Sequence, residues 1–297
     1  MKKLRIGFAT ALIIGLGWYL FLKPQDYRIN VRVNTFPGTI NQTLKLWSGS
    51  LENESEIIQN SSLLNLKQKI KFGDSLHQYE WSIQPLTDST SKIAVDVIDL
   101  ENSVFNRIKI PFSDTDFEKR SRKTVTDFIE KLNEHRENFK VTIQGEEQLQ
   151  STYCACVSLE GPQFDKAAGM MRSFPFINSV LVQNGLELNG VPFIEVTQWN
   201  MEKDSIAYNF CYPIIQSDSL PFIKGISYQT FQGKKALKAI YNGNYITSDR
   251  AWYALLDYAE KNNIEVENKP VEFFFNNPNM GGNELRWKAE VFLPLTN

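Results

Sequence analysis

Lys235-Ala-Leu-Lys-Ala-Ile-Tyr-Asn-Gly243, Lys261-Asn-Asn-Ile-Glu-Val-Glu-Asn-Lys-Pro270-Val-Glu272 and Ala289-Glu-Val-Phe-Leu-Pro294 repeat an earlier set of landmarks. That earlier set is Tyr153-Cys-Ala-Cys-Val-Ser-Leu-Glu-Gly161, Gln183-Asn-Gly-Leu-Glu-Leu-Asn-Gly-Val-Pro192-Phe-Ile-Glu195 and Tyr208-Asn-Phe-Cys-Tyr-Pro213. Both read strand, Gly, helix, Asn-x-(Ile/Leu)-Glu-(Leu/Val), Pro, strand, strand, Pro. Self-similarity at a fixed spacing marks a structural unit used more than once. The spacing predicts a βαββ unit used twice between Lys140 and Asn297.

Periodicity fills in the second unit. Ala251, Trp252, Leu255, Leu256 and Ala259 make an apolar stripe at helical spacing between Ser248 and Asn262. In the last strand Trp287, Ala289, Val291 and Leu293 share one face; Arg286, Lys288, Glu290 and Phe292 share the other. In the preceding strand we assign Val271, Phe273 and Phe275 to the helix-covered face, and Glu272 and Phe274 to the opposite one. The uncovered face then mixes carboxylates with aromatics, and a long antiparallel sheet can curve there into a central cleft suited to a small molecule. The repeat alignment, with one inserted residue near Pro192, matches Glu195 to Glu272 and Asn209 to Glu290.

The second repeat resembles the effector-binding domain of the bacterial gyrase-inhibitory-protein family and of multidrug-sensing transcription regulators. The likeness rests on Asn242-Gly243-Asn244-Tyr245, on the helix with Trp252, on Pro270-Val271-Glu272-Phe273-Phe274 followed by Asn277-Pro278, and on Ala289 to Pro294. It implies a ligand cleft in which a glutamate, here Glu272, meets cationic or polar ligands. The family's tyrosine position is Phe274 here, so a phenol is missing. A membrane segment stands where the regulators carry a DNA-binding head, so nucleic-acid binding is not implied.

At the other end, Lys2, Lys3 and Arg5 precede an uncharged run of 17 residues, Ile6 to Leu22, with Trp18 and Tyr19 near its far end. A bilayer-crossing helix needs roughly 17–25 residues, and its basic flank stays inside. No small-x-small cleavage site follows the run. The expectation is a single-pass anchor over residues 1–24; a cleaved signal peptide is the alternative and a buried core helix the third, and either of the first two puts the body outside the cytoplasm.

Residues 25–138 form a separate unit. Ile29, Val31 and Val33 alternate along a first strand, and Thr39 to Trp47 fits a helix. Further strands are expected at Leu64–Phe72, Leu76–Pro85, Lys92–Asp99 and Arg107–Pro111, with turns at Gly73-Asp74 and Asp88-Ser89. A long helix is expected from Asp114 to Asn138, buried through Phe117, Val125, Phe128, Ile129 and Leu132. Element order, with Val33-Asn-Thr-Phe-Pro37 and Leu46-Trp47, is similar to the START/polyketide-cyclase-like superfamily, whose helix-grip domains hold apolar ligands. The fold class is therefore α+β: a transmembrane helix, a helix-grip-like domain (25–138) and a duplicated βαββ effector-binding domain with a central cleft (139–297).

Charge and composition narrow the chemistry. The formal net charge is −2, and no basic stripe for nucleic acid is present. The richest basic stretch, Lys119-Arg120-Ser121-Arg122-Lys123, reads as a solvated helix face. Two histidines and three cysteines support no zinc site and no cofactor. No nucleophile-elbow, Walker or His-Glu-x-x-His motif occurs, so we commit to no catalytic residue. Cys154, Cys156 and Cys211 fall on one sheet face by alignment, either as buried thiols or with one disulfide to Cys211. The candidate ligand-binding residues are Glu272, Glu290, Tyr245, Trp252 and Phe274. Two carboxylates in one dry cleft would repel, raising at least one pKa. The other readings are solvent-facing strand carboxylates and core-packing rings. The expected partners are a small molecule, cationic or aromatic, and the membrane. A hydrolase using Glu272 or Glu290 to activate water is the alternative function, and a structural or partner-binding envelope protein the third.

Overall fold

The computed structural model describes residues 2–59, 62–87, 90–217 and 220–296; the turn expected at Asp88-Ser89 lies outside them. The chain is α+β with antiparallel sheets, and it divides into two units, Met1–Asn133 and Glu134–Asn297.

The first unit opens with helix α1 (Lys2–Gly17), which runs on through a π-helical turn at Trp18–Leu22. The window Arg5–Leu22 has a mean hydropathy of 1.6 and none of it is buried. It is the one helix among the described residues long and apolar enough to cross a bilayer. There follow β1 (Tyr27–Val33), α2 (Pro37–Gly49), β2 (Ser55–Gln59), β3 (Asn65–Phe72), β4 (Ser75–Thr87), β5 (Thr90–Asp99), α3 (Ser103–Lys109) and α4 (Asp116–Glu137). The sheet order is β1-β5-β4-β3-β2, all antiparallel. Pro37 starts α2 where its missing N–H costs nothing. Strict alternation along β5 turns Ile93, Val95 and Val97 inward onto Ile40, Leu44 and Trp47 of α2 and Val125, Phe128 and Leu132 of α4. The Phe128 ring lies 5.5 Å from Trp47 and 5.0 Å from Trp81, so aromatic side chains fill the space between sheet and long helix. Arg107–Pro111 is not a strand. Ser103 to Lys109 forms a helix whose polar side is bound to Asp26 and Asp99, and those bonds decide its conformation.

The second unit contains β6 (Phe139–Gln148), β7 (Thr152–Pro162), α5 (Lys166–Gln183), β8 (Phe193–Asn200), β9 (Ser205–Pro213), β10 (Ser227–Phe231), β11 (Lys235–Gly243), α6 (Arg250–Lys261), β12 (Val271–Phe274) and β13 (Lys288–Pro294). Its eight-stranded sheet runs β10-β7-β9-β8-β12-β13-β11-β6, so β8 and β12 meet at the centre. One face packs under α5 and α6 through Phe210, Tyr212, Ala239, Tyr241, Phe274, Ala289, Val291 and Leu293. The other carries Cys154, Cys156, Phe193, Cys211, Phe231, Val271 and Phe292. Cys156 and Cys211 lie directly opposite each other on β7 and β9 and form a disulfide; Cys154 is a buried free thiol.

Register corrects the face assignment of β12. Glu272 pairs with Val291 and Phe274 with Ala289, and directly opposed residues share a face. Glu272 and Phe274 therefore lie under the helices, while Val271 and Phe273 face the other way. Glu195 pairs with Val271, so it lies on the face opposite Glu272 and is not its counterpart; Ile194 is the residue across from Glu272.

Candidate functional site

A cavity of about 830 Å³ opens in the second unit on the helix-bearing side of the sheet, not on the uncovered side. That is within the roughly 300–1,000 Å³ typical of small-molecule sites. The first turns of α5 supply Ala167, Ala168, Met170, Met171 and Phe174; Phe210, Tyr212 and Phe274 form the sheet wall, and Tyr245 and Trp287 close the end. Leu188, Ile246 and Phe275, each about half exposed, stand at its rim.

Local sequence explains how Tyr245 reaches this wall. Gly243 has φ +149°, and a Cβ there would sit 2.6 Å from Tyr241 Oη and 2.8 Å from Phe139 Cβ. Only glycine fits such a crossing. Asn244 then accepts the Ile246 N–H (3.0 Å) and fixes the short turn Tyr245–Thr247. The Tyr245 hydroxyl donates to the Lys288 carbonyl (2.8 Å) and accepts the Asn276 N–H (3.1 Å). Its ring leans on Phe274 (4.8 Å) and Trp287 (5.7 Å). Burial pushes its pKa up to about 12, so it is a neutral hydrogen-bonding group at any physiological pH.

Tyr245 and Phe274 are thus brought together on the cavity wall. The other three candidates are not. Glu272 is fully buried behind the wall and absent from the lining. Lys166 Nζ lies 3.0 Å from both of its carboxylate oxygens. The Ser248 hydroxyl lies 2.6 Å from its Oε2 and also receives the lysine ammonium. Trp252 is fully buried, edge-on to Trp199 at 5.1 Å, with the Lys166 ammonium 5.3 Å from its ring. The cation held by the acid and rings is the protein's own lysine.

Glu290 stands on the opposite face of the sheet, paired with Phe273 and Ile240. Lys288 (2.7 Å) and Lys238 (3.1 Å) bind its carboxylate. Partial burial raises its pKa, but the hydrogen bonds from Lys288 and Lys238 outweigh that and hold the carboxyl below the usual range. The expectation that Glu272 and Glu290 repel each other in one cleft is therefore corrected: a β-sheet separates them, and each is held by lysine, Glu272 by Lys166 and Glu290 by Lys288 and Lys238.

Lys166 and Ser248 were missed in the sequence. Each lies five residues after a glycine near the end of a strand, Gly161 and Gly243 respectively, and that shared position was the available signal. A second buried network was also missed. Gln163 donates to Asp249 (2.6 Å) and accepts from Trp199 Nε1 (2.7 Å), while Arg250 bridges Asp249 (2.9 Å) and His135 (3.2 Å). It anchors the start of α6 away from the cavity wall.

No family model matches the chain, and no curated protein matches it. Solved structures do. The EcmrR C-terminal domain is 16% identical, with 54% of this chain and 98% of that one covered, at a TM-score of 0.46. SAV2435 bound to tetraphenylphosphonium is 12% identical, covering 52% and 94%, at 0.38. A hydrolase encoded by lin2189 from Listeria innocua is 9% identical, covering 53% and 92%, at 0.36. At scores below 0.5 these likenesses carry no argument about what the chain binds or does.

Proposed function

We propose that the C-terminal unit binds a small, uncharged, largely apolar or aromatic molecule in this cavity, and that the chain is tethered to a membrane by its N-terminal helix. The observation that carries the ligand class is the state of Glu272. Its charge is already met by Lys166 and Ser248, and the pair is shut behind the wall. The carboxylate that does line the cavity among the described residues, Asp165, is paired with Arg172 at 2.8 Å; an apolar ligand finds Met170, Phe174, Phe210, Phe274 and Trp287. Tyr245 and Phe274 supply ring surface, and Asn276 and Asn277 at the rim supply orienting polar groups. The strand order, mirrored about β8 and β12, supports reading this unit as a duplicated βαββ effector-binding domain. Strand, helix, meander and long helix support a helix-grip reading of the first unit.

Lys2, Lys3 and Arg5 before the apolar run support an orientation with the body outside the cytoplasm. The Cys156–Cys211 disulfide supports the same side, because such bonds persist in oxidising compartments.

The test uses the full chain in nanodiscs with a neutral naphthylamine dye and a quaternary phosphonium cation. The dye should bind saturably, and Ala168→Trp, which fills the cavity from α5, should weaken it at least tenfold. The cation should not compete. Equal dye binding by the Ala168→Trp chain would remove the cavity assignment, and tighter binding of the cation than of the dye would remove the ligand class.

A further inference from the structure

Helix α3 is inside out. Its polar residues face the protein: Asn106 and Arg107 are only 5% and 6% exposed. Ser103 Oγ and Arg107 Nε each lie 2.6 Å from Asp26 Oδ1, and Asn106 Nδ2 lies 3.0 Å from Asp99 Oδ2. The apolar residues point away. Val104, Phe105 and Ile108 are exposed, and Phe112 just beyond is 87% exposed. A helix on a water-facing surface shows the reverse pattern. Each large apolar side chain left in water forgoes the gain of burial.

The same arginine that binds Asp26 identifies what covers this face. Arg107 Nη1 donates to the Leu20 carbonyl at 3.0 Å and the Tyr19 carbonyl at 3.4 Å, and Tyr19 Oη donates back to the Arg107 carbonyl at 3.0 Å. α3 is thereby clipped to the last turn of the apolar helix, where Trp18, Phe21 and Leu22 are exposed as well. The 18 residues Arg5–Leu22 rise about 27 Å as a helix, close to the hydrocarbon thickness of a bilayer. Trp18 and Tyr19 lie near the end of that stretch, where amphipathic rings favour the interface. Lys23 lies over the Tyr19 ring and Lys109 over the Phe105 ring, the posture of a lysine whose stem follows apolar surface while its charge seeks headgroups.

We infer that α3 and the following turn to Phe112 form a second membrane contact, lying in the headgroup–acyl boundary beside the exit of the spanning helix. The inference rests on the reading of Arg5–Leu22 as a membrane span. It makes the first unit a body seated on the bilayer through Phe105, Ile108 and Phe112, with the buried Asp26–Arg107 pair as its rigid hinge pin.

The experiment uses the full chain in phosphatidylcholine–phosphatidylglycerol vesicles. The single substitutions Trp18→Cys, Phe105→Cys, Phe112→Cys and, at the opposite end of the sheet, Gln84→Cys are labelled under native conditions with an environment-sensitive nitrobenzoxadiazole dye. The unsubstituted chain is the control for the buried native thiol. Shallow nitroxide lipids should at least halve emission at positions 18, 105 and 112 and leave position 84 unchanged. If 18 is quenched while 105 and 112 behave like 84, the span stands and this inference is overturned. If 18 is not quenched, both fall. Blue-shifted but unquenched emission at 105 and 112 would mean that protein covers the face, which also overturns the inference.

Discussion

Among single residues, the buried pair Lys166–Glu272 makes the sharpest prediction. Glu272 was legible in the sequence as an acid among aromatics. Its partner was not, because the lysine lies 106 residues away and only the packing of α5 on the sheet brings the two together. Breaking a buried ion pair from one side leaves an uncompensated charge, at a cost of about 3–5 kcal/mol, whereas replacing both members by apolar residues is often neutral. Lys166→Met should therefore lower the denaturation midpoint of the second unit by an amount corresponding to that range. The double variant Lys166→Met, Glu272→Met should recover most of the loss. A double variant no better than the single one would show that the pair does not act as a unit. In the first unit His77 makes a separate pH prediction. Burial lowers its pKa, partly offset by Asp99 at 3.9 Å, and its Nδ1 has no partner. The unfolded chain takes up the proton near pH 6.5 while the folded one does not, so acid favours unfolding. Stability of the first unit should fall as pH drops below about 6.5. His77→Leu should flatten that dependence in urea titrations at pH 7 and 5.5, and an unchanged slope would remove His77 as its source.

At the scale of elements, existence and type were mostly legible, and so was the facing of β13, while that of β12 was not. The apolar alternation of β1, β3, β4 and β5 and the stripe of α4 appear in the sequence as they do in the fold. The parity of β12 against β13 does not, because a one-residue choice of register reverses every side chain, and β12 is only four residues long. α3 was misread for a related reason: Arg107 to Pro111 alternates like a strand, but the bonds that set its conformation come from Asp26 and Asp99. Seating of α5 is a further case that composition could not show. A Cβ on Gly169 would lie 2.3 Å from Tyr208 Oη, and that hydroxyl donates to the Lys166 carbonyl at 3.1 Å. Alanine gains about 1 kcal/mol of helix propensity over glycine, but overpacking costs about 1–3 kcal/mol. Gly169→Ala should therefore be neutral to destabilising and should reduce dye binding, since α5 carries one cavity wall. Adding Tyr208→Phe removes the clashing oxygen, and the pair should melt above Gly169→Ala alone. If it melts lower, the close approach is not what requires glycine.

For the whole molecule, the proposed tether raises the question of which side of a membrane the body would occupy, and the three cysteines report it. Cys156 and Cys211 are joined, while Cys154 stays reduced in the core. Burial raises the Cys154 thiol to about 11, so it is a poor nucleophile toward the neighbouring bond, and the disulfide once formed keeps its partners. A cytoplasmic body would meet a reducing pool and carry three thiols instead of one. Cells quenched in acid, then denatured and treated with a bulky maleimide, should show one adduct per chain and three after prior reduction. Replacing Lys2, Lys3 and Arg5 with glutamate weakens the inside-positive bias and should shift part of the population to three adducts without reductant. Three adducts on the unsubstituted chain would place the body in a reducing compartment. The cavity would then face cytoplasmic ligands, and α3 would rest on the inner leaflet, where Lys23 and Lys109 meet anionic headgroups.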